Sequence, residues 1–211
     1  MLLTPIKVGC PNCRRKFETY VPISMSVFNV HTDFCPDTLG RPVHSCIHCG
    51  FAGSQQRFKR KVSAKVRELV AAHLKPIKWG SKSSWWRRFE HAARIAEWES
   101  RPPEEIANLY LGAAYECASN SAASARTEAA YRKKAVRFFQ KSLDANEISS
   151  ENVPNVTYLV GELYRRVGEL EEAAVWLKKA EALAAERDDL RWLVMLAKQQ
   201  RMKPKELIDR Q

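Results

Sequence analysis

The stretch SCIHCGF, Ser45 to Phe51, sets two cysteines three positions apart and follows the second with a glycine. A matching pair stands upstream in VGCPNC, Val8 to Cys13. A C-x-x-C loop brings two thiolates to one ion, with its backbone amides turned toward the sulfurs. Two such loops complete a tetrahedral four-sulfur site. Cys10, Cys13, Cys46 and Cys49 are therefore the expected metal ligands. Gly50 suits the positive-φ turn that such a loop often needs. With four thiolates bound, an ion has no open coordination position. It acts structurally, folding a small region that lacks a core of its own. The expected cofactor is one structural Zn2+ per chain. A rubredoxin-like iron site uses the same four thiolates, but this segment is basic and offers no redox-partner surface.

Between the two pairs runs HTDFCPDTLGRPVH, His31 to His44. Cys35 could reach the ion as an alternate ligand, form a second site with His31 and His44, or stay a free thiol beside a basic surface. Loop packing is the expectation for all three residues. Cys35, in a loop bounded by Pro and Gly, should be more exposed than Cys117, which lies on an apolar helical stripe. His48, inside the second C-x-x-C loop, should point outward.

The chain has 211 residues, 45% of them hydrophobic, enough for one or two domains with cores. No segment is apolar for long enough to span a membrane, so no membrane insertion is expected. The first residues, MLLTPIKVG, lack the pattern of a secretion signal. Four of six cysteines in C-x-x-C pairs then favour metal ligation over disulfides, and a cytoplasmic setting. The net charge of +11 is uneven: residues 1–100 hold 17 Lys and Arg against 7 Asp and Glu, and residues 101–211 hold 18 against 17. A basic N-terminal half suits an acidic partner, or simply a well-solvated surface.

Composition changes near Arg57. Before it come Gly, Pro and β-formers, and KFETYVPISMSVFNV alternates well enough for one or two short strands. After it the period becomes helical. The expected fold is a small zinc-ribbon domain of short β-strands and knuckles over residues 1–58. An all-α tetratricopeptide-like antiparallel helical domain follows over 59–211. Val62, Val66, Leu69, Val70 and Leu74 share one helical face. Trp86, Phe89, Ala93 and Ala96 form the next stripe. Pro102 and Pro103, followed by two glutamates, look like a helix start. Ile106, Leu109, Tyr110, Ala113 and Cys117, then Val136, Phe139 and Leu143, mark two more inward stripes. Two helices hinged at Gly168 come next. DDLRWLVMLAKQQ then starts on aspartates placed to cap it.

The helices carry a faint repeat. LGAAY at Leu111–Tyr115 and AVRFF at Ala135–Phe139 fit the L-G-x-x-Y and A-x-x-x-F elements of a tetratricopeptide unit. VGELY at Val160–Tyr164 and AAVWL at Ala173–Leu177 repeat both with one change each. Nine positions separate Tyr164 from Ala173 and 20 separate Tyr115 from Ala135, so the first copy needs longer helices. Gly112 and Gly161 should let a neighbouring helix approach closely.

CPNCRRKFE, TDFCP and CIHCGFA, followed by RPPEEIANLYLGAAY and YLVGELYRRVGELEEAAVWLKKA, together resemble an uncharacterised bacterial family, the domain of unknown function twenty-two twenty-five. The resemblance covers most of the chain. It implies a zinc ribbon fused to tetratricopeptide-like helices in a bacterial cytoplasmic protein, with Cys10, Cys13, Cys46 and Cys49 as ligands. The loop after DFCP departs from that pattern, reading DTLGRPVHS instead of a Tyr-rich segment.

Three functions follow from these residues. The first is a non-enzymatic interaction or adaptor protein whose helical surface takes a protein or peptide partner. The second is nucleic-acid binding by the basic ribbon through Arg14, Arg15, Lys16, Arg57, Lys59, Arg60 and Lys61. Trp85 and Trp86, beside Arg87 and Arg88, would then stack on bases or else fill the core. The third is an enzyme, for which Cys35 with a nearby histidine is the one candidate; the sequence shows no other nucleophile–base pair, phosphate loop or open metal site. The first is the expectation.

Overall fold

The computed structural model describes residues 2–24, 30–35, 43–77, 84–119 and 123–208. Strands β1 (Leu2–Gly9) and β2 (Lys16–Ser24) pair antiparallel from Gly9↔Lys16 to Leu2↔Ser24, with a shift of register between Leu2 and Leu3. Alternation along β2 sends Phe17 and Thr19 inward. β2 takes up the first part of the strand segment expected over residues 16–30, while residues 25–29 lie outside the described residues. Its partner β1 was not expected, since Pro5 and a short apolar alternation give a weak strand signal. A second hairpin joins β3 (His44–Ser45) to β4 (Ala52–Gly53).

Among the described residues seven α-helices follow: α1 (Ala64–His73), α2 (Ser84–Trp98), α3 (Pro103–Ala118), α4 (Ala125–Asp144), α5 (Val153–Arg166), α6 (Leu170–Ala185) and α7 (Arg191–Met202). Ser63 caps α1 by accepting the Val66 N–H at 3.3 Å. α3 starts on Pro103 with Glu104 and Glu105 in its first turn, as the sequence pattern requires. The start of α7 differs from expectation. Neither aspartate caps it: Asp189 is held by Arg187 at 2.7 Å and Asp188 by Arg191 at 2.7 Å, and both fall in a short 3-10 turn before the helix. Neighbouring guanidiniums compete for the carboxylates that would otherwise reach the helix amides.

The chain groups into two compact units. One comprises residues 1–26, 38–101 and 108–131, and the other 27–37, 102–107 and 132–211. The boundary expected at 58/59 falls inside the first. There Phe17, Phe51, Phe58, Val62, Val66, Val70, Leu74 and Ile95 share one core with Cys10 and Cys46. Phe58 meets Phe17 and Phe51 at ring separations of 5.6 and 5.3 Å. Full burial of side chains of this size stabilises by roughly 1.5–3 kcal/mol each. Gly112 of α3 lies against the Phe89 ring of α2, where any side chain would overlap it.

In the second unit α5, α6 and α7 pack in sequence, over a core that includes Tyr158, Leu177, Ala180, Leu193 and Ala197. Gly161 of α5 faces the Leu177 backbone of α6, and a Cβ there would stand 2.9 Å from the Leu177 nitrogen. The segment His31–Cys35 turns tightly, with the His31 N–H donating to the Cys35 carbonyl at 2.8 Å. It is anchored by a buried ionic cluster. Arg132 donates to Asp33 at 2.6 Å, and Thr32 Oγ1 donates to Glu162 at 2.6 Å. Arg165 and Arg166 both grip the fully buried Glu162, and the Tyr158 hydroxyl donates to the Thr32 carbonyl at 2.8 Å. The TDF and GELYRR motifs are thus two sides of one network.

Candidate metal centre

Each hairpin ends in one C-x-x-C turn, and the two turns are built alike. In the first, Cys10 N–H donates to the Arg15 carbonyl at 2.9 Å and Arg14 N–H returns to the Cys10 carbonyl at 2.8 Å. In the second, Cys46 N–H donates to Phe51 at 2.8 Å and Gly50 N–H returns to Cys46 at 2.9 Å. The residue after the second cysteine is left-handed in both: φ is 76° at Gly50 and 64° at Arg14. Gly50 was legible in the sequence. Arg14 was not, because a β-carbon usually avoids this region and nothing else marks the position.

The turns bring four sulfurs together. Cys10 Sγ lies 3.7 Å from Cys49 Sγ, and Cys13 Sγ lies 3.7 Å from Cys46 Sγ. All four sulfurs lie within 4.8 Å of one another. A tetrahedron with metal–sulfur bonds of about 2.3 Å has an edge of about 3.8 Å. The spacing is therefore right for one tetrahedral metal ion. Cys10 and Cys46 are buried, while Cys13 and Cys49 reach partway to solvent. Among the described residues these four form the one Cys, His, Asp or Glu group so placed.

Crowding sets the thiols of Cys10, Cys46 and Cys49 apart. Cys49 is pulled down to about 2 because the Cys10 and Cys46 thiols donate to its sulfur. Cys10 is pushed far up by its bonds with Cys46 and Cys49 and by burial. At Cys46 the bond with Cys10 lowers the pKa, but the bond with Cys49 and burial outweigh it and leave the thiol at about 12. Four thiolates cannot coexist here without a cation, and a divalent ion removes that conflict.

Two supports went unread in the sequence. Asn12 Nδ2 donates to Cys49 Sγ at 3.4 Å, placing an N–H beside the sulfur that carries charge most easily. His91 of α2 hydrogen-bonds the Gly50 carbonyl through Nδ1 at 3.0 Å, tying the second turn to that helix. Neither an Asn inside a C-x-x-C loop nor a His on a helix 41 residues away carries a sequence signal for this role.

The remaining residues take other places. His44 is buried, accepts or donates at 3.1 Å with Thr19 Oγ1, and packs edge-on against Phe58. His48 is exposed, as expected, and touches the Lys16 carbonyl at 3.4 Å. His31 forms a backbone bridge to Leu207. Cys117 is buried on its helix. Cys35 is buried too, against the expectation of an exposed thiol, because the tight turn at 31–35 is drawn down by the Thr32 and Asp33 bonds; its backbone N–H meets Asp33 Oδ1 at 3.3 Å. Pro36 to Pro42, the rest of that loop, lie outside the described residues. Trp86 is buried, which leaves it no face for a base.

The molecule is thus of the class that carries a four-cysteine centre on two short hairpins, with helices after it. The chain belongs to the family described as an uncharacterized protein conserved in bacteria (DUF2225), whose model matches residues 3–204. No curated protein and no solved structure matches it. Among the described residues no helix is long and apolar enough to cross a membrane.

Proposed function

We propose that the chain is a zinc-structured, non-enzymatic adaptor of the bacterial cytoplasm. One Zn2+ on Cys10, Cys13, Cys46 and Cys49 organises the first unit, and tetratricopeptide-like helices present a surface to a protein or peptide partner. The observation that supports the helical reading is close helix approach at two glycines. Gly112 and Gly161 hold the same place in LGAAY and VGELY, and a side chain at either would clash with an adjacent helix, the preceding α2 at Gly112 and the following α6 at Gly161. Stacks of such helices use their long concave or outer faces to hold peptides. In the last helix, α7, Leu193, Leu196 and Ala197 are buried while Met195 and Met202 stand exposed. Methionine is an adaptable contact residue on such faces.

Two measurements test the reading. Elemental analysis of freshly purified protein should give one zinc per chain; iron, or no metal, overturns the zinc assignment. Affinity purification from the native cell should return the same protein partner with and without nuclease. Met195→Glu with Met202→Glu should abolish that recovery while leaving thermal stability unchanged. A partner retained by the variant would place the contact elsewhere and overturn the role of this helix.

A further inference from the structure

The positive charge of the molecule belongs entirely to the unit that holds the cysteines. That unit contains 19 Lys and Arg against 7 Asp and Glu, whereas the other contains 16 against 17. From residue 38 to residue 67 the chain has no acid at all. Two basic runs stand out, Arg14-Arg15-Lys16 after the first cysteine turn and Lys59-Arg60-Lys61 before α1. All six side chains are exposed, and none has an ion-pair partner among the described residues.

The fold brings the two runs together. Lys16 is followed by Phe17 and Lys59 is preceded by Phe58, and these two rings touch at 5.6 Å. The exposed His48 ring rests on the Lys16 carbonyl, and the exposed Ile47 is beside it. Other cations in the same unit are used internally. Arg57 pairs with Glu99 and covers the Phe51 ring at 4.9 Å, and the buried Arg88 lies 4.6 Å over Trp85. Helix α1 adds to the same field. Its first turn carries no acid, whereas α3, α4 and α6 all begin with glutamates. The positive end of α1 thus meets Lys61 and Lys65, an arrangement that costs stability unless an anion approaches.

We infer that this surface binds single-stranded nucleic acid, with the two runs on successive phosphates and His48 and Ile47 offering a face to a base. The pattern favours a polyphosphate strand over an acidic protein. Three arginines fork onto phosphate oxygens, and an imidazole with an apolar neighbour suits the flat face of a base. The site lies on the cysteine-bearing unit, so it goes beyond the helix-face reading and can fail or hold separately from it.

The test is fluorescence anisotropy of the full, zinc-loaded chain with a labelled 20-nucleotide mixed-sequence RNA, at several salt concentrations. Six phosphate contacts give a log–log salt slope of about −4 for a single strand. Arg14→Gln/Arg15→Gln/Lys16→Gln should reduce that slope by about 2 and weaken binding about 100-fold at 0.1 M salt. Lys59→Gln/Arg60→Gln/Lys61→Gln should do the same, and it disturbs no cysteine turn. Lys178→Gln/Lys179→Gln/Lys203→Gln, an equal loss of charge in the other unit, should leave binding unchanged. Zinc content reports that each variant is folded. No binding at 50 mM salt, equal loss in the control variant, or unchanged binding in both patch variants overturns the proposal. Displacement of the RNA by poly-glutamate at matched charge also overturns it, in favour of an acidic protein.

Discussion

Gly50 answers to two constraints at once. Its φ of 76° is left-handed, and a Cβ would stand 2.8 Å from the Lys75 carbonyl oxygen. The first costs about 1–2 kcal/mol for any residue but glycine, and the second forces backbone apart. Gly50→Ala should therefore lower the melting temperature clearly and weaken retention of the proposed zinc against a chelator. Arg14, at φ 64° in the equivalent place, already bears the first cost. Arg14→Gly should leave the melting temperature unchanged or slightly raised, and a large fall would show that the two turns are not equivalent. His91 adds a pH dependence. Burial, ahead of all else, lowers its pKa below 6.5; the Gly50 carbonyl and Glu90 oppose this, and Arg87 and Arg94 reinforce it. His44 is lowered as well, by burial and then by Arg88. The unfolded chain therefore binds protons below pH 6.5 that the folded chain refuses. The stability these groups provide is complete above that pH and is lost as pH falls through their lower folded values. Unfolding by denaturant between pH 7 and 5 should show this decline. His91→Asn keeps a side-chain N–H for Gly50 but cannot titrate, so it should flatten the curve.

Among the elements, α5 carries the heaviest burden through Glu162. A carboxylate with no exposure is tolerable only because Arg165 at 2.8 Å, Arg166 at 2.9 Å and the Thr32 hydroxyl at 2.6 Å surround it. Removing one member of a buried pair costs about 3–5 kcal/mol, because the remaining charge is stranded. Asp33→Asn should remove the carboxylate charge that the buried Arg132 meets at 2.6 Å and destabilise the second unit by an amount of that order. Arg191→Gln, in a fully solvated pair with Asp188, should change almost nothing. Equal small effects in denaturant titrations would mean that water reaches the cluster. This network also marks where sequence reading ran out. Glu162 was the variable third position of VGELY, and Thr32 and Asp33 were neighbours of a more conspicuous cysteine. Pairing between residues 130 positions apart leaves no local period to detect. The features that were legible are the ones set by local spacing: the C-x-x-C pairs, the stripe Val62, Val66, Val70 and Leu74, the start at Pro103, and the close approach at Gly112 and Gly161. β1 escaped because its pairing depends on β2, and the left-handed Arg14 because the metal turn imposes it.

At the scale of the molecule, the question is how far the influence of the metal extends. A ribbon that folded alone over residues 1–58 would lose only itself when its ion left. The core says otherwise. Cys10 and Cys46 pack with Val66 and Val70 of α1 and Ile95 of α2, and His91 of α2 holds the second turn by its Gly50 carbonyl. A structural zinc contributes about 10–16 kcal/mol at neutral pH, while whole domains are stable by only about 5–15 kcal/mol. Cys46→Ser, or chelation of the wild type, should therefore melt α1 and α2 together with both hairpins, two helices of 10 and 15 residues. The helices α5 to α7 have a core that includes none of the four cysteines and should remain ordered. Hydrogen exchange read by mass spectrometry distinguishes the outcomes. In metal-free protein, peptides from 64–73 and 84–98 should exchange at unprotected rates, and those from 153–202 should keep their protection. Protection retained in α1 and α2 would confine the metal to the hairpins. Protection lost throughout would make the whole chain one cooperative structure dependent on four sulfurs.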